Sequence, residues 1–313
     1  MTTKVDSWPP SVWTQINGSP GSTPPQPGLL TSVMTAIRVA NKVFPSTTQG
    51  NDDPVSADTI DLKTGIPTVG VTRPVVSITR QFQLADLQVD SSSSPNLPVV
   101  MNQVTLTGQT LALMEDSLFF QGRKARIPHG VTVTVPADLQ DGLLGIAEAN
   151  HKIPVRPRSE GGYGTGAYEA VVKGISEFSA NLQAPPYALI LDPVTFGDAN
   201  SPLPETMVTP ASAIQALVQG GFYMSPGLPP RTGLLAALGG GGTSLVIGTA
   251  PVVEYTNTDG RYYYFTARES IQFCNIDPRS LIALDFQPGS DKRGLNPRTK
   301  SPAPKQQTPN KQN

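Results

Sequence analysis

Glu115 and Asp116 form the residue pair most suggestive of chemistry, two adjacent acids inside the apolar run LALMEDSLFFQG (111–122). Paired carboxylates do acid/base work when both converge on one substrate bond. On a helix, neighbouring positions point about 100° apart and do not face each other. The pair therefore reads as a salt-bridge or helix-surface feature and not as a catalytic dyad. His129 and His151 are the two histidines, and neither stands in a metal-ligand spacing. Cys274 lies in the alternating stretch IQFCNI and reads as a buried structural thiol. GGYGTG (161–166) precedes a helical pattern, so its amides could cradle an anion. No strand leads into it and no acid follows at the dinucleotide spacing, which favours a connector. GGGG (239–242) is followed by Thr-Ser where a phosphate loop needs lysine, and G-x-S-x-G is absent. RYYYF (261–265) with Arg268 could stack bases, but cross-strand packing accounts for the tyrosines. No catalytic residue, metal ligand or cofactor is expected, and an enzyme is not the expected class.

The composition agrees with this. The net charge of the 313-residue chain is −1, so it offers phosphate or a membrane surface no strong field. Only 15% of residues are charged, against about 25% in a typical globular chain. A surface so poor in charge suits a protein covered by neighbours. The lone cysteine excludes an intrachain disulfide and points to a reducing cytoplasm. MTTKVDSWPP lacks the apolar core of a signal peptide, and no run of about 18 apolar residues suggests a membrane span.

The elements that would position these residues alternate between helix and strand. LLTSVMTAIRVANKVF (29–44) predicts one amphipathic helix with Leu29, Val33 and Ile37 inward, ended by Pro45. Residues 46–70 predict a long loop or a two-stranded projection. Val100, Val104, Gly108, Leu111, Met114 and Leu118 recur every three or four positions, which predicts a helix over 99–121 stopped by Gly122. Its threonines and Gly108 lower its intrinsic propensity, so burial must hold it. A further helix is expected over 167–178, a buried strand at YALILD (187–192), and a helix over 209–221. GLLAAL, TSLVIGTAPVVEYT, RYYYFTARESIQFCNI and SLIALDF predict strands, with NTDG (257–260) as a hairpin turn. The tail beyond 286 is rich in Lys, Pro, Gln and Asn and is expected to be disordered. The class is α+β.

Several of these segments, in this order, resemble the encapsulins, shell proteins of bacterial and archaeal nanocompartments. They are VSITRQFQLADLQVD (76–90), LALMEDSLFFQG (111–122), AVVKGISEFSANLQAPPYALILDPVTF (170–196) and the stretch from LVQGGF to LDF (217–286). The resemblance spans roughly 74–286. It departs from the family at a Pro/Gly insertion over 17–28, at ANKVF, and in the tail.

The resemblance implies the tailed-bacteriophage major capsid protein fold. It divides the chain into an N-terminal helical segment facing the lumen (1–45), an extended loop (46–72), a peripheral domain with the spine helix (73–135 plus 245–286), an axial domain (136–244) and a tail (287–313). It further implies a cytoplasmic icosahedral homo-oligomer that encloses cargo enzymes bearing a short targeting peptide, with neither a membrane nor a specific nucleic acid as partner. The alternative is the major capsid protein of a tailed phage or prophage. On the same resemblance, Ala180, Asn181, Leu182 and Gln183 would line a five-fold pore. Because none of them is charged, a weakly selective pore set by size and hydrogen bonding is expected. Val39, Val43, Phe44, Ile271, Phe273, Leu281, Ile282 and Leu284 would form the cargo-peptide groove.

Overall fold

A computed structural model of the chain describes residues 4–19, 26–60, 67–89, 96–134, 141–157, 162–203, 207–240 and 242–288. Of 56–60, 67–72 and 150 only the backbone is described. The tail expected to be disordered lies, beyond 288, outside these residues.

Two sheets organise the chain. The first has six strands. Its central member, Tyr262–Asn275, pairs antiparallel with Val76–Ala85 along one edge. Along the other edge it pairs with Thr243–Ile247 and Val252–Thr258 in succession. Ser46–Thr48 and Val131–Thr134 flank the sheet. The stretch 243–256, expected as one strand, is thus two, and both lie on the same partner. The segment expected to be a loop or projection forms an antiparallel hairpin, Val55–Ile60 with Pro67–Arg73.

The second sheet runs Gly221–Met224, Tyr187–Leu191, Thr232–Ala237, Leu281–Phe286, Lys152–Val155. Its inner strands are apolar at nearly every position because both faces are covered, the pattern of a fully buried strand. Alternate residues serve different cores. Ala188, Ile190, Leu234, Ala236, Leu281 and Ala283 pack with the first sheet and its helices. Leu189, Leu191, Leu235, Ile282 and Leu284 pack instead against the helix Gly164–Ala180. One sheet therefore welds two cores together. The closing strand 281–286 belongs here, between 232–237 and 152–155, and not with 245–275 as the division into 73–135 plus 245–286 supposed. A full apolar run has no solvent-facing side, so the sequence leaves its partner undetermined.

The long helix spans Leu97–Gln121, and all six residues of the expected inward face are buried. Toward its C-terminus burial becomes nearly complete, with Phe119 and Phe120 at 0% exposure. Phe119 meets Phe44, Phe120 and Phe273 at ring-centroid distances of 5.2 to 5.8 Å. The helix Leu29–Ile37 crosses it at Gly108. A Cβ there would stand 3.2 Å from Val33 Cγ1 and 3.3 Å from Leu30 Cδ1. Gly108→Leu should therefore push the two helices apart and lower stability by about 1–3 kcal/mol. Its thermal midpoint, compared with that of Gly108→Ala, reads this directly.

The single helix expected over 29–44 is broken. It runs Leu29–Ile37 and resumes as one turn, Ala40–Val43, with Arg38 extended between them. Its buried face is Leu30 and Met34, one position round from the expected Leu29, Val33 and Ile37. The break is imposed from outside. The Asp116 carboxylate accepts Val39 N at 2.9 Å and Ala40 N at 3.0 Å, so these amides need no helical carbonyl.

Ahead of this, Pro10–Asn17 forms a short helix. Trp8 stacks on Phe265 at 5.6 Å, and Phe265 stacks on Phe82 at 5.2 Å. The Asn17 carboxamide pairs with both Val253 N and Val253 O, taking the place of a neighbouring strand.

Candidate functional site

The acids that opened the sequence analysis are structural. Glu115 and Asp116 are 0% and 1% exposed and diverge from the helix to different partners. Arg38 Nη1 donates to Glu115 Oε2 at 2.8 Å and to Glu269 Oε1 at 3.0 Å, and all three side chains are buried. One guanidinium therefore faces two carboxyls. Burial first, then the charge of Glu115, holds the Glu269 carboxyl well above its ordinary range, with Arg38 opposing. Burial also raises Glu115, again against Arg38. Glu115 Oε1 and Glu269 Oε2 find no donor among the surrounding groups.

Asp116 binds the Val39 and Ala40 amides and accepts Ser225 Oγ at 3.2 Å. Burial pushes its carboxyl up to about 7, against those backbone bonds. Neither acid opens onto solvent, so a surface role holds for neither; Glu115 forms the expected salt bridge, and Asp116 binds backbone amides instead.

The other candidates form no cluster that could do chemistry. His151 pairs with Glu177, and His129 is exposed. Cys274 is buried, which pushes its thiol up and away from reactivity. At the glycine run before 164, the helix N-terminus is taken by the chain's own Asp198, whose Oδ2 accepts Tyr163 N at 3.1 Å. In RYYYF, Tyr263 and Phe265 pair across the strand with Leu84 and Phe82. No group of three His, Cys, Asp or Glu side chains that could hold a metal ion occurs among the described residues. No helix among them is long and apolar enough to cross a membrane.

The loop 180–184 is the candidate that remains open to solvent. Gln183 N bonds to Phe178 O at 2.8 Å and Leu182 N to Ser179 O at 3.2 Å, which closes the preceding helix in a Schellman cap. The left-handed position of such a cap normally holds glycine. Here it holds Leu182, at φ 57°, with 93% of its surface exposed. A side chain there costs about 1–2 kcal/mol.

Gln183 turns the other way. It is 9% exposed, and its Nε2 donates to Asp277 Oδ2 at 2.9 Å. Asp277 also accepts Arg279 Nε and Nη2 at 2.9 and 2.8 Å. Burial raises the Asp277 carboxyl, but the bonds from Arg279 and Gln183 outweigh it and hold the group below its ordinary value. Asn181 folds back, its Nδ2 donating to Glu177 O at 3.0 Å. The loop borders a cavity of about 280 Å³, lined by Asn181, Leu182, Gln183 and Ala184 together with Asp277 and Arg279 among others. Of the four residues assigned to the pore, Ala180, Asn181 and Leu182 are exposed and Gln183 is tied inward.

The eight residues assigned to a cargo groove are all buried, none more than 7% exposed. They do not converge. Val39, Val43, Phe44, Ile271, Phe273 and Leu281 lie in one core, Ile282 and Leu284 in the other. The two-residue period of strand 281–286 sends Leu281 and Ile282 to opposite faces, so no one groove can hold both.

Sequence reasoning passed over Arg38, Asp277 and Arg279. Arg38 did leave a signal, as the one cation in the apolar segment SVMTAIRVA (32–40). A charge in that setting demands a buried partner.

Two sheets, a long helix and a hairpin with this connectivity make the fold of tailed-bacteriophage major capsid proteins. Among solved structures, the chain is similar to a virus-like particle from Pyrococcus furiosus, with a TM-score of 0.62 at 14% identity over 82% of this chain and 96% of that one. It is similar to the capsid of a native GTA particle, with a TM-score of 0.53 at 13% identity over 79% and 89%. A structure from Mycobacterium phage Bobi gives 0.52 at 12% identity over 81% and 91%. No curated protein matches the sequence. The family described as "encapsulating protein for peroxidase" matches residues 47–272, and the chain belongs to it. It is thus a shell protein of the encapsulin family with a capsid-like fold.

Proposed function

We propose that the chain assembles into a closed icosahedral shell in the cytoplasm, encloses a cargo enzyme, and admits small molecules through openings ringed by the loop 180–184. The observation that supports this most directly is the family match over 47–272. The surface is consistent with it. Leu87, Leu106, Ile127, Val194 and Met207 are 49–89% exposed on a chain poor in charge. Repeated, symmetric contacts between copies would cover such residues. In this scheme the six-stranded sheet and long helix form the peripheral domain. The five-stranded sheet with its helices forms the axial domain, and the hairpin at 55–73 is the extended loop. A cargo peptide would seat on the inner wall at residues other than the eight buried ones.

The capsid fold shared with the GTA and phage structures favours a second reading, a major capsid protein that encloses nucleic acid. Purification of the full chain followed by negative-stain microscopy and an absorbance ratio separates the two. Hollow uniform shells that co-purify with protein and lack nucleic acid are expected. Shells filled with DNA would favour the capsid, and a monomer would sink both.

A further inference from the structure

We propose that Leu182 is the specificity-determining residue of the opening, an apolar constriction that passes small uncharged solutes and holds back hydrated ions. This rests on the proposal that the loop rings an opening in the shell.

Three observations point to it. The first is the exposure of Leu182, 93% in a chain whose other leucines are mostly buried. The second is its backbone. At φ 57° it occupies the left-handed cap position where glycine would be free of strain, yet a branched apolar side chain stands there. At 93% exposure the side chain gains little packing within its own chain to offset that strain, which makes the position a candidate for function. The third is the withdrawal of its polar neighbours. The Gln183 amide is drawn onto Asp277, itself clamped by Arg279, and the Asn181 amide is folded onto Glu177 O. The Gln183 amide and the Asn181 Nδ2 are therefore engaged within their own chain. Leu182 is left as the projecting group, on a base made rigid by the cap and by the Gln183–Asp277–Arg279 tie. Several copies around one axis would make an apolar ring. Such a ring excludes water, and an ion must shed hydration to cross it, whereas a neutral solute loses little.

The test uses assembled shells loaded with a fluorescent dextran too large to leave, quenched from outside by iodide or by neutral acrylamide. Wild-type shells should admit acrylamide much faster than iodide. Leu182→Asn keeps a similar side-chain size, tolerates the left-handed backbone and makes the ring wettable. It should raise the iodide rate about tenfold and leave acrylamide nearly unchanged. Leu182→Gly removes the constriction as well as the strain and should raise both rates. If Leu182→Asn keeps the wild-type ratio, width alone sets passage and the apolar gate is wrong. Leu182→Cys reacted with a bulky maleimide checks the underlying pore, since the native Cys274 is buried. Slowing of both quenchers supports the opening. No change in either would place the route elsewhere and remove both proposals together.

Discussion

Arg38→Met should lower the stability of the folded chain by about 3–5 kcal/mol, the cost of leaving buried carboxyls without their cation. Arg38 is 2% exposed, and its Nη1 serves Glu115 and Glu269 together. It joins three distant parts of the chain: the break after helix 29–37, the long helix, and the central strand of the six-stranded sheet. Methionine of similar length can fill much of the space, so the loss should be electrostatic. Adding Glu115→Gln and Glu269→Gln to Arg38→Met should therefore return part of the stability, because the uncompensated charges go with them. Denaturant midpoints at one protein concentration, with shells fully assembled in every sample, give the comparison. A single variant within about 1 kcal/mol of wild type would mean that the cluster is open to water and its charges are solvated.

The second large effect is on pH dependence. Glu269 and Glu115 both have carboxyl groups raised in the folded chain, and Asp116 is raised to about 7, with burial the leading cause in each case. Raised carboxyls mean that the folded state binds more protons than the unfolded one. Their stabilising contribution is thus fully present below the ordinary carboxylate range and is lost as pH rises through the raised values. For each retained proton the slope is about 1.4 kcal/mol per pH unit. Wild-type stability should accordingly fall as pH rises from the ordinary carboxylate range through about 7, the raised value of Asp116. Glu269→Gln, a fixed copy of the protonated side chain, should flatten much of that slope, so its advantage over wild type grows with pH. Asp116→Asn should remove the share that ends near pH 7, but it also weakens acceptance of the Val39 and Ala40 amides. Parallel slopes for wild type and Glu269→Gln would show that this carboxyl is ionised in the folded chain.

Local chemistry was legible in the sequence, and long-range pairing was not. The inward face of the long helix, the buried strand YALIL and the turn at 257–260 follow from periodicity and turn residues, which are properties of adjacent positions. The break at Arg38 does not, because a carboxylate 77 positions away produces it. Nor does the inward turn of Gln183, whose partner Asp277 is 94 positions on. The faces of the eight residues assigned to the groove were hidden for a related reason. Apolar residues in LIALDF look alike in sequence, yet the pleat assigns Leu281 and Ile282 to different cores. The family resemblance carried the order of elements but could not say which side chains remain free on the surface.

The position of the closing strand also bears on how the chain is made. Within its sheet, Lys152–Val155 has Leu281–Phe286 as its partner, and the latter also completes the inner edge of Thr232–Ala237. A ribosome adds residues at about 5–20 per second, so strand 152–155 waits on the order of ten seconds for its partner to emerge. Until then strands 152–155 and 232–237 both lack the partner that lies between them. A nascent chain cannot present its finished surfaces to neighbours during this interval. The surfaces that depend on this sheet, and any contact they make with a neighbouring copy, therefore await residues 281–286.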